Sequence, residues 1–164
     1  MLATSLSARQ RSNDRWSLVL LCIALLGSAS CQSLVYDGTR TQPSDEDLVG
    51  AWVPDHESLN YLQENGYNPS TQTQIRIERD HTFALINMPD LWWYGGNSRG
   101  TFRTSAGTFE VSRDADTPYW VLVLREHGNQ RALALLGQRP PYKLRFSFGN
   151  IDSNPQSLTF VRER

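Results

Sequence analysis

The sequence predicts an all-β fold of short antiparallel strands, a sandwich or a barrel, with one short helix between the first two strands. Two observations lead to this prediction. Apolar and polar residues alternate through most of the chain after about residue 48, which is the pattern of strands with one buried and one exposed face. Turn-forming residues separate these runs at intervals of about 8–12 residues, as in antiparallel sandwiches and barrels.

The strands differ in how many of their faces are apolar. In 142–148, apolar residues hold the even positions and polar residues the odd ones, which predicts one buried face. The segments 119–124 and 132–136 are apolar at nearly every position, which predicts strands covered on both sides. Ala106-Gly107 is one of several small or polar pairs that predict turns between strands.

The predicted helix covers 55–66. Asp55 fits an N-cap, because its short carboxylate can accept the free backbone N–H groups of a first helical turn. Leu59 and Leu62 share one helical face, and Gly66 supplies the left-handed conformation that often ends a helix.

The N-terminus has the layout of an export signal. A basic opening with Arg9, Arg11 and Arg15 precedes an apolar run at 16–26, and small residues lead directly to Cys31. A membrane-spanning helix needs about 20 apolar residues, so this run is too short to hold the chain across a bilayer. We expect residues 1–30 to be removed as a signal peptide.

Two peptidases could make this cut. Ser28-Ala29-Ser30 suits an ordinary signal peptidase, and the segment ending at Cys31 also resembles bacterial lipoprotein signals, which read aliphatic, small, small, cysteine. Ser28 departs from that pattern. Cys22 would leave with the signal, so the mature chain would keep one thiol and form no internal disulfide. We expect lipid attachment at Cys31; the alternative is a simple cut before an unmodified cysteine.

Charge and composition divide the rest of the chain. Loss of 1–30 removes three arginines and one aspartate and leaves 13 basic and 16 acidic residues, which excludes the electrostatic footprint of a nucleic-acid binder. Residues 31–47 follow as the lipidated cysteine and a polar, flexible tether. Residues 48–164 are long enough to bury a core without disulfides and are predicted to be one domain.

The two ends of this domain resemble those of lipocalin-like proteins. Gly50-Ala51-Trp52 opens it and Leu158-Thr159-Phe160-Val161-Arg162 closes it. The resemblance implies an antiparallel, calycin-type barrel of about 8–9 strands in which Arg162 packs across Trp52 and closes the base. A guanidinium over an indole contributes about 0.5–2 kcal/mol. Asp80-His81-Thr82-Phe83 and 141–148 are also similar to segments of small bacterial lipocalin-like lipoproteins.

The unusual patch of the domain is Leu91-Trp92-Trp93-Tyr94-Gly95-Gly96. Three consecutive rings cannot all face one side of a strand, and the adjacent glycines predict a loop or a bulge. Trp92, Trp93 and Tyr94 are therefore candidates for ligand contact at an opening of the barrel. The alternative is that two of the rings cap the end of the barrel and the third has no role.

No signature of catalysis appears. The three histidines have no metal-ligand spacing, and the sequence has no Gly-x-Ser-x-Gly or Ser-x-x-Lys nucleophile motif. We therefore expect no enzyme activity, no cofactor and no metal.

Two functions are consistent with this sequence. The leading one is a lipid-anchored, lipocalin-like lipoprotein of the outer membrane, facing the periplasm, that binds a small apolar or amphipathic molecule at the barrel mouth, with the 55–66 helix as a partial lid. The alternative is a filled barrel without a ligand, a structural or interaction module or an inhibitor, whose outer face or aromatic loop contacts an envelope protein.

Overall fold

The structure, a computed structural model, describes residues 37–68, 72–94, 99–149 and 156–163. All of these belong to one compact unit, Tyr36–Arg164. The predicted signal peptide and the predicted lipid attachment at Cys31 lie outside the described residues.

Eight antiparallel strands close into a barrel, which confirms the predicted all-β antiparallel fold. Each strand pairs with the next along the chain, and β1 pairs with β8. The strands are β1 Gly50–Pro54, β2 Gln74–Ile77, β3 Thr82–Pro89, β4 Phe102–Arg113, β5 Trp120–Glu126, β6 Asn129–Leu136, β7 Lys143–Phe148 and β8 Gln156–Arg162. Within the described residues, three helices accompany these strands: α1 Asp45–Leu48, α2 His56–Glu64 and α3 Leu91–Tyr94.

The up-and-down strand order divides the connections between two ends of the barrel. We call the end at which β1 begins the base; the turns 78–81, 114–119 and 137–142 lie there. We call the opposite end the top. The connection from β1 to β2, which contains α2, and the connection from β3 to β4, which contains α3, both lie at the top.

Helix α2 forms where the sequence predicts it. The Asp55 side chain caps it by accepting a hydrogen bond from the Ser58 N–H at 2.9 Å. Gly66 follows the last turn with φ +83°, a conformation that favours glycine. Leu62 is buried, whereas Leu59 is 37% exposed, so only one of the two predicted leucines packs inward.

A bulge near the end of β3 directs the chain toward α3. Between the register pairs of Leu85 and Met88 with β4, β3 carries one extra residue, and Asn87 has φ +46°. Such a bulge bends a strand and re-aims the side chains after it. Met88 and Asp90 are both completely buried as a result, and α3 begins inside the top of the barrel.

Gly107 lies within β4 and not in a turn, contrary to the sequence prediction. A Cβ at this position would come within 2.0 Å of the Arg125 backbone oxygen and 2.9 Å of the Phe83 ring. Glycine is therefore required because neighbouring strands approach closely at a barrel corner. A pair of small residues such as Ala106-Gly107 therefore fits either a turn or a close approach between neighbouring strands.

Large side chains fill the interior of the barrel. The biggest fully buried ones are Trp52, Trp92, Phe83 and Phe160. Further buried residues come from strands β2 to β8, from α1, from the two connections that contain α2 and α3, and from the turn before β7: Leu48, Leu62, Tyr67, Ile75, Ile77, Leu85, Met88, Leu91, Phe109, Leu122, Leu124, Leu133, Leu135, Tyr142, Leu144, Phe146, Phe148 and Leu158.

The described part of the predicted tether packs against the base of the barrel. Thr39 is fully buried; its N–H donates to the Leu135 oxygen at 2.8 Å, and its carbonyl accepts from the Trp120 N–H at 2.8 Å. Ser44 and Asp47 form a reciprocal capping box that begins α1. The predicted boundary at residue 48 is thus corrected, because backbone pairing with the ends of β5 and β6 attaches 37–47 to the domain.

Candidate functional site

The predicted aromatic patch folds as the one-turn helix α3 and not as an open loop. Successive side chains on a helix project about 100° apart, so the three rings take different environments. Trp92 is 1% exposed, Trp93 is half-buried, and Tyr94 is 53% exposed. The local backbone therefore separates three aromatic residues that are consecutive in the sequence.

Trp92 lies in the interior of the barrel. Its ring centre is 4.2 Å from that of Phe146, with the planes tilted by 34°, and 6.3 Å from that of Phe160 in an edge-to-face arrangement. Both geometries are favourable for aromatic pairs. The predicted position of Trp92 at a rim is corrected, because the β3 bulge points α3 inward.

Trp93 and Tyr94 form a surface with three charged side chains from neighbouring strands. The Arg103 guanidinium carbon lies 5.0 Å from the centre of the Trp93 ring, and Arg103 Nη1 donates to the Tyr94 hydroxyl at 3.1 Å. Trp93 Nε1 donates to Glu126 at 3.2 Å, and Arg131 Nη2 donates to the Trp93 carbonyl at 3.4 Å. We call these five residues the aromatic–arginine patch.

Arg131 links this patch to the interior. Its guanidinium carbon lies 6.0 Å from the centre of the Phe146 ring. Burial lowers the pKa of Arg131, and the charge of Glu126 acts in the opposite direction. The carboxylate of Glu126 therefore has two partners. It favours the charged form of Arg131 at the inner edge of the patch, and it accepts the hydrogen bond from the Trp93 indole.

A buried carboxylate holds the connection that carries α3. Asp90 is fully buried, and its side chain accepts hydrogen bonds from the Tyr67 hydroxyl, the Arg99 N–H and the Thr101 hydroxyl. Its backbone carbonyl also accepts from the N–H groups of Trp93 and Tyr94. Burial alone would raise the pKa of Asp90, but these donors hold the pKa below its ordinary value.

We expect Asp90→Asn to lower the free energy of unfolding at pH 7 by about 2 kcal/mol, since an amide cannot satisfy all of these donors. Because the folded-state pKa of Asp90 is lowered, its contribution is complete above the unfolded pKa, near 4, and is lost as the pH falls through the folded value. Urea titrations between about pH 7 and pH 2.5 should show a shallower loss of stability for the variant. Asp116→Asn, on an exposed turn, is the control; an Asp90→Asn curve parallel to wild type would contradict this role.

Trp52 and Arg162 are register partners on β1 and β8, where the barrel closes. Trp52 is fully buried, and its Nε1 donates to the Leu48 carbonyl at 2.8 Å. Arg162 is exposed, and its Nε lies 3.0 Å from where a Cβ on Gly50 would sit. Among the described residues, no guanidinium lies over the Trp52 ring. The pair is adjacent in the sheet, but the arginine rests against Gly50, whose φ is +138°.

Sequence reasoning missed four residues that shape the top of the barrel: Asp90, Arg103, Glu126 and Arg131. No motif surrounds any of them, and Glu126 and Arg131 lie on strands 33 and 38 residues away from Trp93 in the sequence. The only available signal was the position of Asp90 directly before the aromatic run.

Fold and site thus define a closed, eight-stranded antiparallel barrel with a filled interior and an aromatic–arginine surface at its top. No family model matches the chain, and no similar curated protein or solved structure was found. Within the described ranges, no group of three or more metal-ligating side chains is placed to hold an ion. None of the helices in those ranges has the length and apolar content needed to span a membrane.

Proposed function

We propose that the protein is a lipid-anchored interaction module of the bacterial cell envelope, a filled lipocalin-like barrel that contacts another envelope protein through the aromatic–arginine patch. The observation that carries this proposal is the buried ring of Trp92, packed between Phe146 and Phe160 where a small ligand would otherwise sit. Binding of a small apolar molecule in the barrel, the leading expectation from the sequence, would require this ring to leave.

The lipocalin-like class is part of the proposal and rests on the order of the elements. Eight strands follow one another around a closed barrel, and α2 comes directly after β1. Trp52 and Arg162, the pair that the resemblance singles out, face each other across the seam between β1 and β8. This arrangement supports a common architecture and implies no particular ligand.

The proposed anchor at Cys31 would restrict which end of the barrel can meet a partner. Asp37, the first described residue, packs at the base, where its carbonyl accepts a hydrogen bond from Gly137. Five residues separate it from Cys31, and the six residue-to-residue steps span at most about 20–22 Å. In an outer-membrane protein anchored there and facing the periplasm, the base would stay near the membrane. The top would then be the more accessible end.

The composition of the patch favours contact with a protein. Aromatic residues and arginine are enriched at the centres of protein interfaces, where they contribute most of the binding energy. Tyr94 is one of only two large hydrophobic residues that are exposed in the described part of the chain, and Arg103 holds its hydroxyl in place. The patch is therefore both accessible and ordered.

Site-specific crosslinking in cells of the native host tests this function. A photo-reactive phenylalanine analogue in place of Tyr94 should give one discrete adduct, whereas the same analogue in place of Asp116, at the base, should not. The adduct should disappear in Trp93→Ala and Arg103→Ala backgrounds that keep the wild-type unfolding midpoint. Adducts of equal yield at both positions, or an adduct that survives both substitutions, would contradict the proposal.

A further inference from the structure

A groove runs along the outer wall of the barrel, away from the patch and outside the filled interior. It has two open lobes of about 370 and 320 Å³. The upper lobe lies beside α2 and the lower one beside the turn after β6; Glu57, Arg145 and Thr159 line both. Volumes of this size are at the small end of those typical for ligand sites.

The strand pattern places two cations in this groove. Leu144 and Phe146 of β7 are buried in the interior, so Lys143 and Arg145 project to the outer face. Arg145 pairs in register with Thr159 of β8, and that residue is held to α2 because its N–H donates to Ser58 Oγ at 2.8 Å. Helix α2 and strands β7 and β8, which line the groove, are therefore held together by hydrogen bonds.

The charges of the groove are not neutralised by each other. The ion pairs within the described ranges are His81–Asp45 and Arg125–Glu110, and both lie elsewhere. Arg145 Nε is shielded from solvent and has no hydrogen-bond acceptor. Buried donors without an acceptor are rare in folded proteins. Arg145 as a residue lines both lobes, so its guanidinium is a donor group beside the groove with no acceptor for Nε among the described residues.

The neighbouring carboxylates differ in their availability. Asp55 is engaged in capping α2, and Asp37 accepts a hydrogen bond from Gln138. Glu57, which faces both lobes, has no partner among the described residues. The groove thus offers free cations and a free carboxylate together, with hydroxyl and amide groups between them, and an apolar molecule would leave all of these unpaired.

We propose that this groove binds a small zwitterion of the amino-acid or dipeptide type. Arg145 and Lys143 receive its carboxylate, and Glu57 receives its ammonium group. A guanidinium suits a carboxylate because it can donate two parallel hydrogen bonds. The site is separate from the aromatic–arginine patch, so its test is independent of the crosslinking experiment.

The test uses L-alanyl-L-alanine and two derivatives, each of which lacks one of its charges. The N-acetyl derivative has no ammonium group, and the C-terminal amide has no carboxylate. Each is titrated into the full ¹⁵N-labelled chain, and amide shifts of Arg145 and Thr159 are followed by NMR. We expect the dipeptide to bind and each derivative to bind at least about tenfold more weakly, the usual effect of losing one charged hydrogen bond. No saturable shift at about 50 mM dipeptide, or equal binding of all three probes, would overturn the proposal.

Variants then assign the two roles. Arg145→Gln should remove the preference for the free carboxylate, and Glu57→Gln should remove the preference for the free ammonium. Arg125→Gln, a matched substitution on the outer face of β5, should leave all three affinities unchanged. Should Arg145→Gln fail to fold, Arg145→Lys keeps the charge without the paired donors and should weaken dipeptide binding several-fold. Wild-type affinity in folded Arg145 and Glu57 variants contradicts the site.

Discussion

Trp92→Ala should lower the free energy of unfolding by about 3–5 kcal/mol, the range found when large aromatic residues are removed from protein cores. The ring is 1% exposed and contacts Phe146 and Phe160, so its loss leaves a cavity in the centre of the barrel. Urea denaturation followed by far-ultraviolet circular dichroism measures the change. Tyr94→Ala, two residues further and 53% exposed, is the control and should stay within about 0.5 kcal/mol of wild type.

The same variant tests whether the barrel is filled. A cavity lined by apolar side chains can bind a small aromatic molecule, and a ligand that binds only the folded state raises its stability. Indole should therefore raise the unfolding midpoint of Trp92→Ala and leave that of wild type unchanged. An equal increase in wild type would show that space for an apolar ligand already exists, and would favour the small-molecule function over the interaction module.

Trp52→Ala should also lower the free energy of unfolding by about 3–5 kcal/mol, for a second reason besides lost packing. The indole N–H donates to the Leu48 carbonyl, which ties α1 to the first strand. Trp52→Phe keeps a six-membered aromatic ring but removes this donor and part of the indole's volume, and it should lose about 1–3 kcal/mol. Equal stability of Trp52→Phe and wild type would contradict the structural role of the hydrogen bond.

Arg162→Ala should have a much smaller effect, within about 1 kcal/mol, because the side chain is exposed. In a double-mutant cycle with Trp52→Ala, the structure predicts an interaction energy below about 0.5 kcal/mol, since the guanidinium rests against Gly50. A larger interaction energy would support the direct contact between Trp52 and Arg162 that the resemblance to lipocalin-like proteins implies.

Features with a local cause agreed with the sequence prediction. The alternation in 142–148 corresponds to β7, in which Leu144, Phe146 and Phe148 are buried. Helix α2 begins after Asp55 and ends before Gly66, because capping and a positive φ depend on residues only a few positions away. His81, in the turn between β2 and β3, has φ +61°.

Features that depend on residues distant in the sequence did not agree with the sequence prediction. Gly107 produces the same local signal as a turn, but it is required by the Arg125 backbone 18 residues further along the chain. Likewise, residues 37–47 have the polar composition of a tether, yet Thr39 is buried because the ends of β5 and β6 leave backbone groups that it pairs with.

The sequence by itself determined the all-β class, the antiparallel order and the helix after β1, since alternation and turn chemistry act over a few residues. Only the tertiary structure decided which of Trp92, Trp93 and Tyr94 is buried and which is exposed. Their environments depend on the β3 bulge, on Asp90 and on strands far away in the sequence. The position of Arg145 in an open groove was decided in the same way. Contacts between distant strands exist only once the barrel has closed, and no pattern within one segment encodes them.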